Sequence, residues 1–171
     1  MENKNDNVII EIETAKPYHT HTEIISTYFG YNLRGHMKAS WRPSSLDDWM
    51  VWFPKMLKNR DGSPKDAQGW INTISDDGEV IHEYMIDAEK NIEWAEGIFE
   101  NDPIRIVFAY DQNDKCYHFI GIFISDREKS KSRDHYFIRI ATSVEIIGMP
   151  AEGIKFPITI SRNHRNIALK L

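Results

Sequence analysis

A chain of 171 residues with 41% hydrophobic residues is long enough for a domain with its own core, which excludes a disordered chain. The lack of an apolar run of about 18 residues excludes a membrane span. A net charge of −5 argues against wholesale attraction to nucleic acid but leaves room for a local basic strip. The polar start MENKNDN has no secretory apolar region and the single Cys116 has no disulfide partner, so we expect a cytoplasmic protein.

The first part of the chain predicts two strands and a helix. Residues 8–13 (VIIEIE) and residues 23–31, which are rich in Ile, Thr, Tyr and Phe, are typical of strands. Residues 45–57 predict a helix, because Ser45 can cap it and apolar residues then recur at helical spacing as far as Leu57. The polar residues 59–69 predict a mobile loop.

A hairpin and an acidic helix come next. Residues 70–75 predict a short strand, and the DDG at 76–78 predicts a turn into the extended run EVIHEYMI. Residues 87–100 predict an amphipathic helix that ends before Pro103, since the residue before a proline is disfavoured in a helix. Its outer stripe consists of Glu89, Glu93, Glu96 and Glu100.

The back half predicts a sheet. Three runs between residues 104 and 147, IRIVFAY, CYHFIGIFI and HYFIRIATSVEII, are rich in β-branched and aromatic residues and are separated by polar turns. Gly121, inside the second run, predicts a bulge that curls the sheet. A last strand is predicted at 155–161 and a basic tail at 162–171.

These elements predict an α+β fold in a single domain, residues 1–171. A mixed arm (1–100, with helices near 45–57 and 87–100) precedes the antiparallel core (104–161). The core is expected to be a curled antiparallel sheet or a partly open barrel with two or three flanking helices.

Acidic and basic residues are segregated along the chain. Ten carboxylates lie between Asp76 and Asp102 with Lys90 as the single cation, whereas residues 155–171 contain no acid. A local basic strip can contact DNA or RNA phosphates even in an acidic protein, although such runs are also typical of ordinary solvated surfaces. The predicted phosphate contacts are Arg127, Lys129, Lys131, Arg133, Arg162 and Arg165.

Histidines in the segment HTHTE suggest a metal site. In an extended strand His19, His21 and Glu23 would project from one face, and imidazole and carboxylate groups bind zinc, nickel or iron. His36 or His82 would complete the set. The alternative is that these are surface histidines without a metal.

Cys116 is the one candidate nucleophile. His118 lies two residues away and would share its face of a strand, as a base that activates the thiol must. No cationic helix end accompanies the pair, so a small cysteine packed at the edge of the core is the preferred interpretation.

Two of the five tryptophans, Trp41 and Trp70, lie beside loops rather than in a periodic pattern. An aromatic side chain beside a turn can form the wall of a pocket and stack on a flat ligand such as a nucleobase. The alternative is that both tryptophans close the ends of a barrel. The predicted pocket consists of Trp41, Trp70, Asn72, Asp76, Asp77 and Tyr110.

The sheet region resembles a known superfamily. RIVFAY, YHFIGIFISDREKS and HYFIRIATSVE carry a strand ending in VFA, an F-x-G-x-F pattern and an R-I-A-T strand. These are similar to the β-core of PUA-like domains, which include the EVE, ASCH and SRA modules, and to small domains of modification-dependent restriction enzymes. The resemblance covers residues 104–147. It implies a curled barrel whose aromatic pocket holds a flipped or modified base.

We therefore expect a non-enzymatic nucleic-acid-binding module without a cofactor or a membrane partner, possessing an aromatic pocket for a modified or flipped base. One alternative is a small interaction or inhibitor protein that docks its acidic helix, 87–100, on a basic partner. A second alternative is a metal-dependent enzyme that uses His19 and His21.

Overall fold

The computed structural model describes residues 6–87, 102–131 and 133–159. Within these ranges the chain forms one helix and ten strands. The elements are β1 (Val8–Glu11), α1 (His21–Phe29), β2 (Ser40–Trp41), β3 (Trp49–Trp52), β4 (Trp70–Ile74), β5 (Val80–Met85), β6 (Ile104–Asp111), β7 (Cys116–Ser125), β8 (Asp134–Ala141), β9 (Ser143–Ile147) and β10 (Gly153–Lys155).

Seven strands form one large sheet in the order β2-β3-β6-β7-β8-β5-β4. Neighbouring strands are antiparallel except β3 and β6, which are parallel. A second sheet has the order β1-β9-β10. The large sheet is curled and open, so the expected fold class is confirmed.

Gly121 lies at an irregularity of the large sheet. The pairing of β6 with β7 shifts between Val107 and Phe108, and the pairing of β7 with β8 shifts between Ile122 and Phe123. Gly121 has a φ of 122°, which side chains rarely adopt, and a Cβ there would lie 2.7 Å from the carbonyl oxygen of Ala141. The predicted bulge at Gly121 is confirmed.

The strand predicted at 23–31 is wrong, because α1 occupies this segment. The Thr20 hydroxyl accepts from the backbone N–H of Glu23 (3.2 Å), and the Glu23 carboxylate accepts from the backbone N–H of Thr20 (2.9 Å). This reciprocal cap starts a helix despite the β-branched composition. The helix ends at Phe29 and is capped by Gly30, whose φ is 73°. It buries Ile24, Ile25, Tyr28 and Phe29 at helical spacing.

The helix predicted at 45–57 is also wrong. Asp47 accepts from the backbone N–H of Ser44 (2.8 Å), which closes a turn instead of starting a helix. The following tryptophan-rich residues form β3, which pairs in parallel with β6 from Trp49 opposite Ile104 to Trp52 opposite Val107. Pairing with a central strand therefore overrides the helical spacing.

The remaining predicted elements fall only partly within the described residues. The strands at 8–13 and 70–75 and the run EVIHEYMI correspond to β1, β4 and β5. The last strand is β10, Gly153–Lys155, so the strand predicted at 155–161 is wrong over 156–159. The helix at 87–100 lies, beyond Asp87, outside the described residues, as does the tail at 162–171.

The main core packs α1 against the large sheet and against the three-stranded sheet β1-β9-β10, here called the small sheet. It includes Ile24, Phe29, Phe108 and Ile146, which are all fully buried. A smaller buried cluster around Phe123 and Phe137 contains Trp52, Ile81 and Val107. Among the described residues no helix is long and apolar enough to cross a membrane.

Candidate functional site

A cavity of about 790 Å³ opens between two walls. One wall is a face of the large sheet, to which β4, β5 and β8 contribute together with Met50 and Trp52 of β3 and Arg105 of β6. The other wall comprises the start of α1, the loop 33–39 and the residues that follow β3. The volume lies within the range of about 300–1,000 Å³ that is typical of small-molecule sites.

A row of polar side chains crosses the sheet wall. Asn72 on β4 lies directly opposite Glu83 on β5, and Glu83 lies directly opposite His135 on β8. Directly opposed residues of neighbouring strands share one face, and all three line the cavity. His135 Nδ1 lies 3.8 Å from Glu83 Oε1. Trp70, two residues before Asn72 and on the same face, continues the wall.

Asn72 is buried with one hydrogen-bonding atom unused. Its exposed fraction is 6%, and its side-chain oxygen Oδ1 has no hydrogen-bond partner within the described ranges. An unpaired buried polar atom costs about 1–3 kcal/mol. A ligand that donates a hydrogen bond to Oδ1 would remove this cost.

A buried ion pair between Arg105, which lines the cavity, and Asp102 lies beside the cavity. Arg105 Nη1 donates to Asp102 Oδ1 (2.6 Å), which also accepts from the Ser125 hydroxyl (3.0 Å). The Arg105 guanidinium lies over the ring of Phe137, 4.5 Å from its centre. These contacts join β6, β7 and β8 next to the cavity.

His21, the first residue of α1, contributes to the opposite wall. Its imidazole stacks on the ring of Phe53, with 4.0 Å between ring centres and 10° between planes. Burial lowers the pKa of His21 from 6.5 to about 4, and electrostatic interactions with His36 and Lys55 act in the same direction. The His21 side chain is therefore neutral at physiological pH.

Comparison with known proteins places the chain in a family. The family model described as "SRA: SET and RING associated domain" matches residues 7–146. The chain belongs to the SRA family. SRA domains bind modified cytosine that is flipped out of DNA, so the predicted PUA-like resemblance and the nucleic-acid-binding class of function are confirmed.

A solved structure shares the fold of this SRA domain. It is the 5-hydroxymethylcytosine-specific restriction enzyme AbaSI, with a TM-score of 0.65 and 24% sequence identity over 82% of this chain. The chain spans less than half of that enzyme's length, 43%. A search of curated proteins found no match.

Only part of the predicted pocket lines the cavity of this SRA domain. Trp70 and Asn72 do so. Trp41 instead packs in the core against Phe29 and Tyr31. The remaining three also lie away from the cavity lining: Asp76 and Asp77 in the turn between β4 and β5, and Tyr110 against Tyr117.

Glu83 and His135 line the cavity but were not predicted. The turn between β4 and β5 contains the signal for Glu83, because a hairpin closed around residues 76–78 sets Asn72 opposite Glu83. His135 depends on the pairing of β5 with β8, which are separated by about fifty residues of chain, so no local pattern indicates it.

The predicted phosphate contacts lie in different environments. Lys129 places its ammonium 4.1 Å from the centre of the Tyr136 ring, and Arg127 Nε lies 3.8 Å from Asp102 Oδ2. Lys131 is exposed, whereas Arg133 is only 8% exposed. Arg162 and Arg165 lie outside the described residues.

The geometry assumed for the HTHTE metal site is wrong, because α1 replaces the strand. Glu23 caps the helix and His21 stacks on Phe53, so the segment does not present His19, His21 and Glu23 on one strand face. In the described part of the chain, the group of side chains close enough to share a metal is Asp111, Asp114 and His118.

Cys116 packs at the edge of the core, where we expected it. Its Sγ lies 3.4 Å from His19 Nδ1. Burial, followed by the negative charge of Asp114, raises the pKa of the thiol. A protonated thiol is a poor nucleophile, so this environment does not favour catalysis by Cys116.

Proposed function

We propose that this SRA domain binds duplex DNA and holds one modified cytosine, withdrawn from the base stack, in its cavity. The observation that carries the proposal is the polar row Asn72, Glu83 and His135 beside Trp70 in a cavity of about 790 Å³. A base can reach such a site only when it leaves the duplex, and contacts with the cavity walls offset the cost of unstacking.

Glu83 suits the amino group of cytosine. Cytosine presents an N4–H₂ donor, which a carboxylate accepts. Thymine and uracil present a carbonyl oxygen at the corresponding position, and this oxygen would meet the Glu83 carboxylate as one acceptor facing another. The carboxylate therefore selects cytosine, and His135, 3.8 Å away, limits the positions that it can adopt.

Asn72 and Trp70 provide the remaining contacts in this proposal. The unpaired Oδ1 of Asn72 can accept from a second donor on the ligand, such as the hydroxyl of a 5-hydroxymethyl group. The half-buried Trp70 offers its ring for stacking. 5-Hydroxymethylcytosine is the first base to test, because AbaSI, which shares the fold, is a 5-hydroxymethylcytosine-specific restriction enzyme.

The test is a binding series with duplexes that differ at a single base. Fluorescence anisotropy would compare cytosine, 5-methylcytosine and 5-hydroxymethylcytosine at the same position and salt concentration. We expect at least one modified duplex to bind about tenfold or more tightly than the unmodified duplex, which corresponds to one or two additional base contacts. Equal affinity for all three duplexes would remove the proposal.

A further inference from the structure

The loop 33–39 borders the mouth of the cavity. Gly35, His36, Met37 and Ala39 line the cavity and also line an adjoining recess of about 640 Å³. Arg34 and Lys38 line the recess. A DNA strand whose base enters the cavity must pass close to this mouth, so the chemistry of the loop bears on how DNA is held.

The loop lies in a stretch without negative charge. Glu23 and Asp47 are consecutive acids in the sequence, and the residues between them include Arg34, Lys38 and Arg42. Arg42 Nη1 donates to the carbonyl of Asp47 (3.1 Å). Arg34 and Lys38 are exposed, and neither has an ion-pair partner within residues 6–87, 102–131 and 133–159. Both cations are therefore available to an external anion.

The base of the loop is anchored on the sheet. His36 Nε2 donates to the carbonyl of Ser40 (3.1 Å), and the backbone N–H of Phe53 donates to the carbonyl of Ala39 (2.8 Å). Anchoring reduces the conformational entropy that the loop would lose when it binds a partner.

Met37 is 89% exposed at the same mouth. One exposed apolar side chain is ordinary in itself. In the sequence Met37 lies between Arg34 and Lys38. A surface with basic side chains around an apolar one complements DNA, in which charged phosphates alternate with apolar sugar and base surfaces.

The loop after β7 is less suited to phosphate binding. In residues 126–131 the acids Asp126 and Glu128 alternate with basic residues. Two of these basic side chains already contact the protein: Arg127 lies near Asp102, and Lys129 lies over Tyr136. Tyr136, which Lys129 covers, lies between His135 and Phe137 on β8, and both of these line the cavity. Alternation along a strand directs Tyr136 to the opposite face of the sheet.

We propose that the loop 33–39 holds the DNA strand beside the cavity, with Arg34 and Lys38 on its phosphates and Met37 against neighbouring sugar and base surfaces. The inference rests on the proposed function, because it assumes that the ligand base arrives on a DNA strand. It assigns the strand-binding surface to the mouth of the cavity rather than to the loop after β7.

The experiment compares two variants of the full chain with matched loss of charge. Arg34→Gln with Lys38→Gln removes two cations at the mouth, and Lys129→Gln with Lys131→Gln removes two from the other loop. Binding to modified and unmodified duplexes is measured from 50 to 200 mM salt, after thermal unfolding confirms that both variants are folded. For two lost phosphate contacts, the fall in affinity of the mouth variant across this range should be about tenfold smaller than that of the original chain.

The mouth variant should weaken binding to modified and unmodified duplexes by the same factor, because phosphates carry no base information. The control variant should retain the original salt dependence. If the control loses the salt dependence and the mouth variant keeps it, the inference is overturned, whatever the base preference. If the chain prefers no base but the mouth variant still loses salt dependence, the proposed function fails and the strand-binding surface remains.

Discussion

In the proposed function, base selection depends on the Glu83 side chain, and the neighbours of Glu83 determine how its carboxylate is presented. Asn72 and His135 lie opposite it on the two adjacent strands, so its carboxylate has a polar residue on either side. A side chain at the centre of such a row loses little conformational freedom when a ligand binds, which favours selectivity over adaptability.

Replacing Glu83 with glutamine tests this role with almost no change in shape. In Glu83→Gln an amide replaces the carboxylate, so its contact with the cytosine amino group loses charge assistance and one of two acceptor oxygens. We expect affinity for the modified duplex to fall by about 1–3 kcal/mol, which is roughly 5- to 150-fold. Fluorescence anisotropy measures this change. Glu128→Gln, the same substitution in the loop after β7, is the control, and an equal loss in both variants would contradict the assignment.

His21 makes the stability of the domain depend on pH. Its folded pKa of about 4 lies below the unfolded value of 6.5, so the unfolded chain takes up a proton first as the pH falls. The stabilisation is complete above pH 6.5 and is lost between pH 6.5 and 4. Between pH 7 and pH 4, the free energy of unfolding in urea should fall by about 3 kcal/mol more for the unsubstituted protein than for the variant His21→Phe. Parallel pH profiles for the two proteins would exclude this role.

The sequence identified some residues of the cavity lining but not others, for reasons that differ by residue. Trp70 and Asn72 are visible from local composition, because an aromatic residue beside a loop and an amide on the following strand suggest a pocket. Trp41 presents the same local signal yet packs in the core, since its position depends on pairing with β3. Local sequence patterns therefore indicate candidate residues, and the pairing of the strands determines which of them line the cavity.

At the scale of elements, the irregularity at Gly121 shapes the central strands of the sheet. β7 pairs with both β6 and β8, and its register shifts on both sides close to this glycine. Such a bulge increases the local twist, which helps the sheet to curl around the cavity.

Gly121→Ala should therefore be strongly destabilising. An added Cβ would meet the Ala141 carbonyl oxygen and Arg139 Cδ, each at 2.7 Å, at a φ of 122°. We expect a loss of about 3 kcal/mol or more in the free energy of unfolding in urea. Gly62→Ala is the matched control, because its φ of 84° is also positive but the described residues leave open space around the new Cβ. This control should lose only about 1 kcal/mol, and equal losses would show that the close approach is unimportant.

The three sheet runs were predictable because their alternation is long and consistent, whereas the shorter elements were not. In α1 the β-branched composition pointed to a strand, and the capping box formed by Thr20 and Glu23 was the decisive signal. In β3 the spacing of apolar residues pointed to a helix, but pairing with β6 across about fifty residues of chain prevailed. Local propensity is a weak guide where long-range pairing sets the structure.

At the scale of the whole molecule, the curled sheet brings distant parts of the sequence to one cavity. Trp70 and Asn72, Glu83, and His135 come from three strands, while His21 and the loop 33–39 come from the front of the chain. The main core packs α1 and the sheet β1-β9-β10 against the large sheet, and the smaller buried cluster contains Ile81 of β5 and the cavity-lining residues Trp52 and Phe137. The walls of the cavity are therefore held by the same packing that stabilises the domain, which favours a site formed before the ligand binds.

The most direct test of the account is a crystal structure of the chain bound to a duplex containing one 5-hydroxymethylcytosine. We predict that the modified base lies outside the stack and inside the cavity, with its N4 amino group within about 3.2 Å of a Glu83 carboxylate oxygen and its ring against Trp70. A complex in which the modified base remains stacked and paired in the duplex, with the cavity empty, would contradict the central claim.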